Sequence, residues 1–154
     1  MKRPLAVLFL VAMAIPNSLA AHDKHKDVTH AVDAFYTALN QLLAGDVSAM
    51  KELWSHADDI TYLSPAGGIK TGWQTVLADW QAQADLKLNG RVEAKDVHIT
   101  QNGNLAVVVN YEVGSIKDPD GNMQKIEIRA TSTFRKEGGS WKMIGHHADR
   151  LVLK

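Results

Sequence analysis

Gly139-Ser140-Trp141-Lys142-Met143-Ile144-Gly145-His146-His147-Ala148-Asp149-Arg150 closes a C-terminal half built of strands. It follows the turn signal Glu137-Gly138-Gly139 and reads as a long strand near residues 140–153. Working back through the chain, Asp118-Pro119-Asp120-Gly121, Asn102-Gly103 and Asn89-Gly90 separate three more such runs, near 123–136, 104–116 and 91–100. Four long strands joined by tight turns predict an antiparallel meander, and strands of this length with one face against helices must twist and curl.

The half that precedes the meander is helical. Val28, Val32, Phe35, Leu39, Leu42 and Leu43 recur at helical spacing, and Gly45 stands where a left-handed stop belongs. Asp46 can cap a second, shorter helix with Met50, Leu53 and Trp54 on its buried side. A short β-rich run, Ile60-Thr61-Tyr62-Leu63, is closed by Pro65 and Gly67-Gly68. Thr71-Gly72-Trp73-Gln74 fits a capping box that opens a third helix carrying Trp73, Val76, Leu77 and Trp80. Helices first and strands afterwards predict an α+β domain, a cone in which three N-terminal helices pack on a curled antiparallel sheet.

Length and composition narrow the function. The 154 residues hold 45% hydrophobic side chains, enough for one ordinary globular domain. Seventeen Lys plus Arg balance 17 Asp plus Glu, so there is no basic excess for tracking a phosphate backbone, and nucleic acid is not expected as a partner. Without cysteine there is no disulfide scaffold, thiolate nucleophile or Cys-ligated metal. No metal and no cofactor is expected. Residues 1–20 carry Lys2 and Arg3, an apolar run from Leu5 to Ile15 and the small-residue pattern Ser18-Leu19-Ala20, the layout of a secretory signal peptide. The apolar run is shorter than the roughly 20 residues a membrane-spanning helix needs. The expectation is a secreted or periplasmic protein with no membrane association after cleavage. It would start with a flexible segment over 21–26, and the remaining chain would carry 15 cations against 17 anions. His22, His25 and His30 lie close together there, but so polar a terminus reads as solvated chain rather than a metal site.

The order of elements, with Ala44-Gly45-Asp46 between the first two helices, Thr71-Gly72-Trp73 opening the third, and Gly139 to Ile144 leading to His147, resembles the nuclear transport factor 2-like superfamily. The resemblance is to its SnoaL-like and ketosteroid-isomerase-like branch, and it covers residues 27–154. It implies the cone fold, and it leaves the chemistry open because this fold hosts isomerases, cyclases, dehydratases, hydrolases and non-catalytic modules. The steroid isomerases of the superfamily use a tyrosine on the first helix, an aspartate before a proline and a later aspartic acid. Carried over, these positions fall at Ala38 (with Tyr36 about half a turn away), Ser64 and the neighbourhood of Ser132, so none of the three matches. Serine does not take a proton from carbon without a base of its own.

Alternation places Trp141, Met143, Gly145, His147 and Asp149 on one face of the last strand, and Lys142, Ile144, His146, Ala148 and Arg150 on the other. His147 with Asp149 is the candidate acid/base pair, since a neighbouring carboxylate raises imidazole basicity and fixes its tautomer. The histidine six residues beyond Trp141 also matches a pattern of SnoaL-like chains, with Asp149 where a small hydroxyl residue is usual. The alternative for His147 is a hydrogen-bonded residue closing the pocket mouth. Arg129, with Thr131, is an anion site if its face looks inward and a solvated cross-strand partner if it looks outward. Trp54, Tyr62, Trp73 and Trp80 are expected to wall a cavity for a small, partly apolar molecule.

Two functions remain on this reading. One is an exported SnoaL-like domain with His/Asp acid-base chemistry of isomerase, cyclase or hydrolase type. The other is a ligand-binding or protein-interaction module of the same fold. Apolar rows at Ile144, Ala148 and Val152, and at Ile126, Ile128 and Phe134, together with the pairing habit of the superfamily, imply a homodimer through the convex sheet face.

Overall fold

A computed structural model of the protein describes residues 26–118 and 120–150. The expected signal peptide 1–20, residues 21–25 with His22 and His25, and residues 151–153 of the expected last strand lie outside the described residues. Helix α1, Lys26–Leu43, buries Val28, Val32, Phe35, Tyr36, Ala38, Leu42 and Leu43. It stops at Gly45, whose φ of 104° suits only glycine. The Gly45 N–H donates to the Leu42 carbonyl at 2.8 Å and the Asp46 N–H to that of Gln41 at 3.0 Å, the two bonds of a Schellman ending. Asp46 then accepts from the Ser48 N–H at 2.8 Å at the start of helix α2, Ser48–Leu53.

Strands β1, Thr61–Leu63, and β2, Lys70–Thr71, precede helix α3, Trp73–Asp85. The expected Thr71 capping box does not form. Thr71 is paired with Thr61 in the sheet, and the cap position falls to Gly72, which offers no side-chain bond. Beyond α3 come β3, Gly90–Asn102, β4, Leu105–Lys117, β5, Met123–Glu137, and β6, Ser140–Arg150.

The six strands form one sheet in the order β2-β1-β6-β5-β4-β3. Strands β3 to β6 are the antiparallel meander that their turns demand. The expectation of a wholly antiparallel sheet fails at one edge, because β1 runs parallel to β6 with Tyr62 opposite His146. A parallel neighbour is possible there because β1 and β6 are joined through a helix and four strands rather than a tight turn. The sheet is therefore curled and mixed, with the helices against its concave face.

Two irregularities shape that face. In β3 the register slips between Lys95 and His98, with Asp96 at a φ of 55°. Between β5 and β6, Thr133 faces Gly145 while Phe134 faces Met143, so Ile144 is an extra residue in β6. A bulge of this kind reverses which side chains look inward beyond it. Met143 is fully buried before it, and His146 and Ala148 are buried after it. His147 and Asp149 therefore turn to the convex face, against the expected alternation. Ile128, Phe134 and Ala148, expected as an outer apolar row, also point into the core, and half-buried Ile144 packs against it. The convex face takes its apolar character from the alternate residues of β4 instead: Leu105, Val107, Val109 and Tyr111 are all exposed.

Candidate functional site

Strand β4 is apolar on both faces until its inward series Ala106, Val108, Asn110, Glu112 becomes polar. Both polar members are buried, and Glu112 is only 5% exposed. A carboxyl at such a depth must be hydrogen-bonded or stay protonated. Tyr36, from the buried face of α1, donates its hydroxyl to Glu112 Oε1 at 3.2 Å and accepts from Asn110 Nδ2 at 2.7 Å. From β6, His146 brings Nε2 to 3.5 Å from the same Oε1. Ser132 of β5, also buried, lies 3.0 Å from His146 Nδ1 through its hydroxyl. When Ser132 donates to Nδ1, the ring proton sits on Nε2 and points at the carboxyl. Phe35 and Tyr62 hold the imidazole between them, with ring centres 4.8 and 5.9 Å away.

Glu112 and His146 stand on the wall of a cavity of about 1100 Å³ between α1, α3 and the sheet, large enough for a small organic molecule. Glu112 Oε1 is engaged by Tyr36 and His146, while Oε2 has no partner among the described residues. Burial pushes the Glu112 carboxyl up to about 7, against a smaller lowering by the Tyr36 hydrogen bond. Burial, helped by neighbouring His147, holds His146 down near 3, so its imidazole is neutral at physiological pH. The same desolvation holds the Tyr36 and Tyr62 hydroxyls protonated. Tyr62, stacked on Trp80 at 4.2 Å, accepts from Gln83 Nε2 at 3.0 Å, and Gln83 also donates to Asp79 at 2.8 Å. The Tyr62 proton itself has no acceptor among the described residues and is available to a guest.

The SnoaL-like domain family model matches residues 28–149. The chain belongs to the SnoaL-like domain family. Comparison with curated proteins returned no match. Among solved structures, the SnoaL-like domain is similar to a candidate dehydratase of the nuclear transport factor 2-like family from Streptomyces avermitilis. The two are 23% identical over 83% of this chain and 97% of that one, with a TM-score of 0.73. It is similar also to a candidate calcium/calmodulin-dependent protein kinase type II association domain from Thiobacillus denitrificans, 26% identical over 80% of this chain and 94% of that one, TM-score 0.70. A nuclear transport factor 2-like superfamily protein from Salmonella enterica superimposes with a TM-score of 0.74 at 13% identity, over 87% and 95% of the two chains.

Within the SnoaL-like domain, the residues singled out by sequence separate into two groups. Tyr62 and Trp80 line the cavity. Trp54 packs behind them, 6.2 and 6.0 Å from their rings, and Trp73 stacks on His56 at 4.3 Å, so neither reaches the cavity wall. His147 and Asp149 do pair, Nε2 to Oδ1 at 3.1 Å, but on the convex face with about half of each side chain in solvent. Arg129 opposes Asp149 and Thr131 opposes His147 in the sheet, and both are exposed on that same outer face. The four therefore converge on one another and not on the cavity. Alternation missed Glu112 and His146. An acidic residue in the apolar run Leu105 to Val113 was the available signal for Glu112. Nothing in the alternation marks the bulge that turns His146 inward. Of the positions carried over from the isomerases, Ser132 meets the site, and Tyr36, which also stands there, lies two residues before the carried-over Ala38. Ser64 sits at the cavity rim.

Proposed function

We propose that this SnoaL-like domain binds a small, partly apolar molecule in its cavity and moves a proton on it, with Glu112 as acid/base. The observation that carries this reading is the buried Glu112 carboxyl on the cavity wall, tied through one oxygen to Tyr36 and His146 while the other has no partner among the described residues. A carboxyl held near neutrality is populated in both forms at physiological pH, so it can take a proton from one atom and return it to another. On a β,γ-unsaturated carbonyl compound, the Glu112 carboxylate removes the proton from the carbon between the carbonyl and the double bond, and the electron pair spreads to oxygen as a dienolate. The Tyr62 hydroxyl donates to that oxygen, and protonated Glu112 returns the proton to a different carbon. The products are an isomer and the original carboxylate. His146 and Tyr36 act as positioning residues that aim Oε2.

The test is proton exchange. A panel of small aromatic and alicyclic ketones is incubated with protein in heavy water and followed by NMR. Wild type should speed deuterium uptake or double-bond migration for at least one member, with Glu112→Gln falling by about 10² to 10⁴. Equal rates for wild type, Glu112→Gln and buffer overturn the proposal.

A second reading has its own support. The exposed row Leu105, Val107, Val109 and Tyr111 suits association through the convex sheet face, in line with the likeness to a candidate association domain. Homodimerisation belongs to this reading and is compatible with the first. We infer export from the signal-peptide layout of residues 1–20, and with it a secreted or periplasmic location. Among the described residues no helix is long and apolar enough to cross a membrane.

A further inference from the structure

The cavity is unevenly charged. Its floor is apolar around the Glu112 carboxyl, which burial pushes toward its neutral form, and an anion beside it would oppose the carboxylate form. Its mouth, where β4 and β6 end and β5 begins, carries Lys117, Lys125 and Arg150. None of these three cations forms an ion pair among the described residues. Two of the nearby carboxylates are already engaged: Asp79 faces Lys70 at 3.6 Å, and Asp118 accepts from the backbone of Asp120 and Asn122 and from the Gln124 amide. Glu127 shares the outward series of β5 with Lys125, so these two opposite charges offset each other and Arg150 is left as the inward-series cation. Arg150 shares the inward series of β6 with His146 and Ala148. A rise of about 3.3 Å per residue puts it roughly 13 Å from His146 along the strand. The bulge at Ile144 thus turns Arg150 inward together with His146.

We propose that the mouth selects an amphipathic carboxylic acid, whose carboxylate is received by Arg150 while its apolar, reactive end lies against Tyr62, Trp80 and Glu112. This rests on the cavity being a ligand site, as proposed above, and names the class of molecule it takes. The guanidinium gives a carboxylate two parallel donors, whereas an amide of the same shape offers no charge to meet it. Such acids are ionised at pH 7 at the solvated mouth. The floor then receives only uncharged groups.

Trp80 on the cavity wall gives the readout. Quenching of tryptophan fluorescence is titrated with 4-phenylbutyrate and with 4-phenylbutyramide at low ionic strength. The acid should bind wild type about tenfold tighter than the amide. Arg150→Gln should bring the acid to within about twofold of the amide, and Arg150→Lys should keep most of the preference. Equal binding of acid and amide to wild type, an undiminished preference in Arg150→Gln, or no quenching by the acid overturns the proposal. Glu112→Gln separates the two readings, since it should keep or enlarge the acid preference while abolishing proton exchange. If Glu112→Gln leaves exchange unchanged but Arg150→Gln removes the preference, the proton-transfer reading falls and anion selection stands.

Discussion

Glu112 Oε1 lies 3.5 Å from His146 Nε2, and both side chains are almost wholly withdrawn from solvent. They come from β4 and β6, strands that are not neighbours, and Ser132 of the intervening β5 supports the imidazole from its far side. Burial disfavours the charged form of each, so between about pH 3 and 7 the pair is held as two neutral groups and above that as a single carboxylate.

This arrangement gives stability a distinctive pH dependence. The folded Glu112 carboxyl titrates near 7 against an ordinary 4.5, so it binds a proton more tightly than the unfolded chain does, and its contribution is lost as pH rises from about 4.5 to 7. The full loss is about 3 kcal/mol. Folded His146 titrates near 3 against 6.5, so its contribution is lost as pH falls from about 6.5 to 3. The two slopes oppose each other between about 4.5 and 6.5. Thermal melts should show Glu112→Gln gaining on wild type as pH rises through that window and up to 7. A constant difference in Tm from pH 4 to 8 would contradict the assignment.

Tyr36→Phe removes the hydroxyl that donates to Glu112 and accepts from Asn110. The expected loss is about 1–3 kcal/mol by chemical denaturation. Because that hydrogen bond lowers the Glu112 pKa, its removal should move the acidic limb of any activity profile to higher pH. A stability loss with an unmoved profile would separate the tyrosine from the carboxyl.

Gly114 lies opposite Val92, and a Cβ built there would stand 2.0 Å from the Arg91 carbonyl oxygen. Backbone cannot yield by that amount without opening the β3–β4 pairing. Gly114→Ala should therefore cost more than about 2 kcal/mol. Gly103→Ala, which meets no atom within 4 Å, is a control for which only the strain of its φ of 57° applies. Equal losses in the two variants would argue against the close strand approach.

The exposed row on β4 bears on assembly. Val107 sits between Leu105 and Val109 on the convex face, so Val107→Glu places a charge in the middle of the apolar strip. If two copies pair there, light scattering should report a dimer for wild type and a single chain for the variant, with an unchanged circular dichroism spectrum. A single chain for both would remove the convex face as a self-association surface.

The helical stretches and the four-strand meander were legible in the sequence because apolar spacing, Gly45 and the Asn-Gly and Asp-Gly turns are local signals. So were the cavity-wall aromatics Trp80, whose inward face follows from helical spacing, and Tyr62, which stands in the short β-rich run before that helix. The parallel β1–β6 edge was not legible, as pairing between residues more than 80 positions apart leaves no local trace.

The choice between His147 and His146 shows where the division falls. By itself the sequence determined that a strand carries two adjacent histidines, one of which must face inward because side chains alternate across a sheet. Which one depended on whether β6 keeps register with β5 past Phe134. Tertiary packing decided it: with Ile144 bulged, the strand reverses its faces, bringing His146 and Arg150 to the cavity and leaving His147 and Asp149 to the solvent. A one-residue slip exchanges the whole set of inward side chains, and the energy that selects it comes from burying Met143, His146 and Ala148 against the helices.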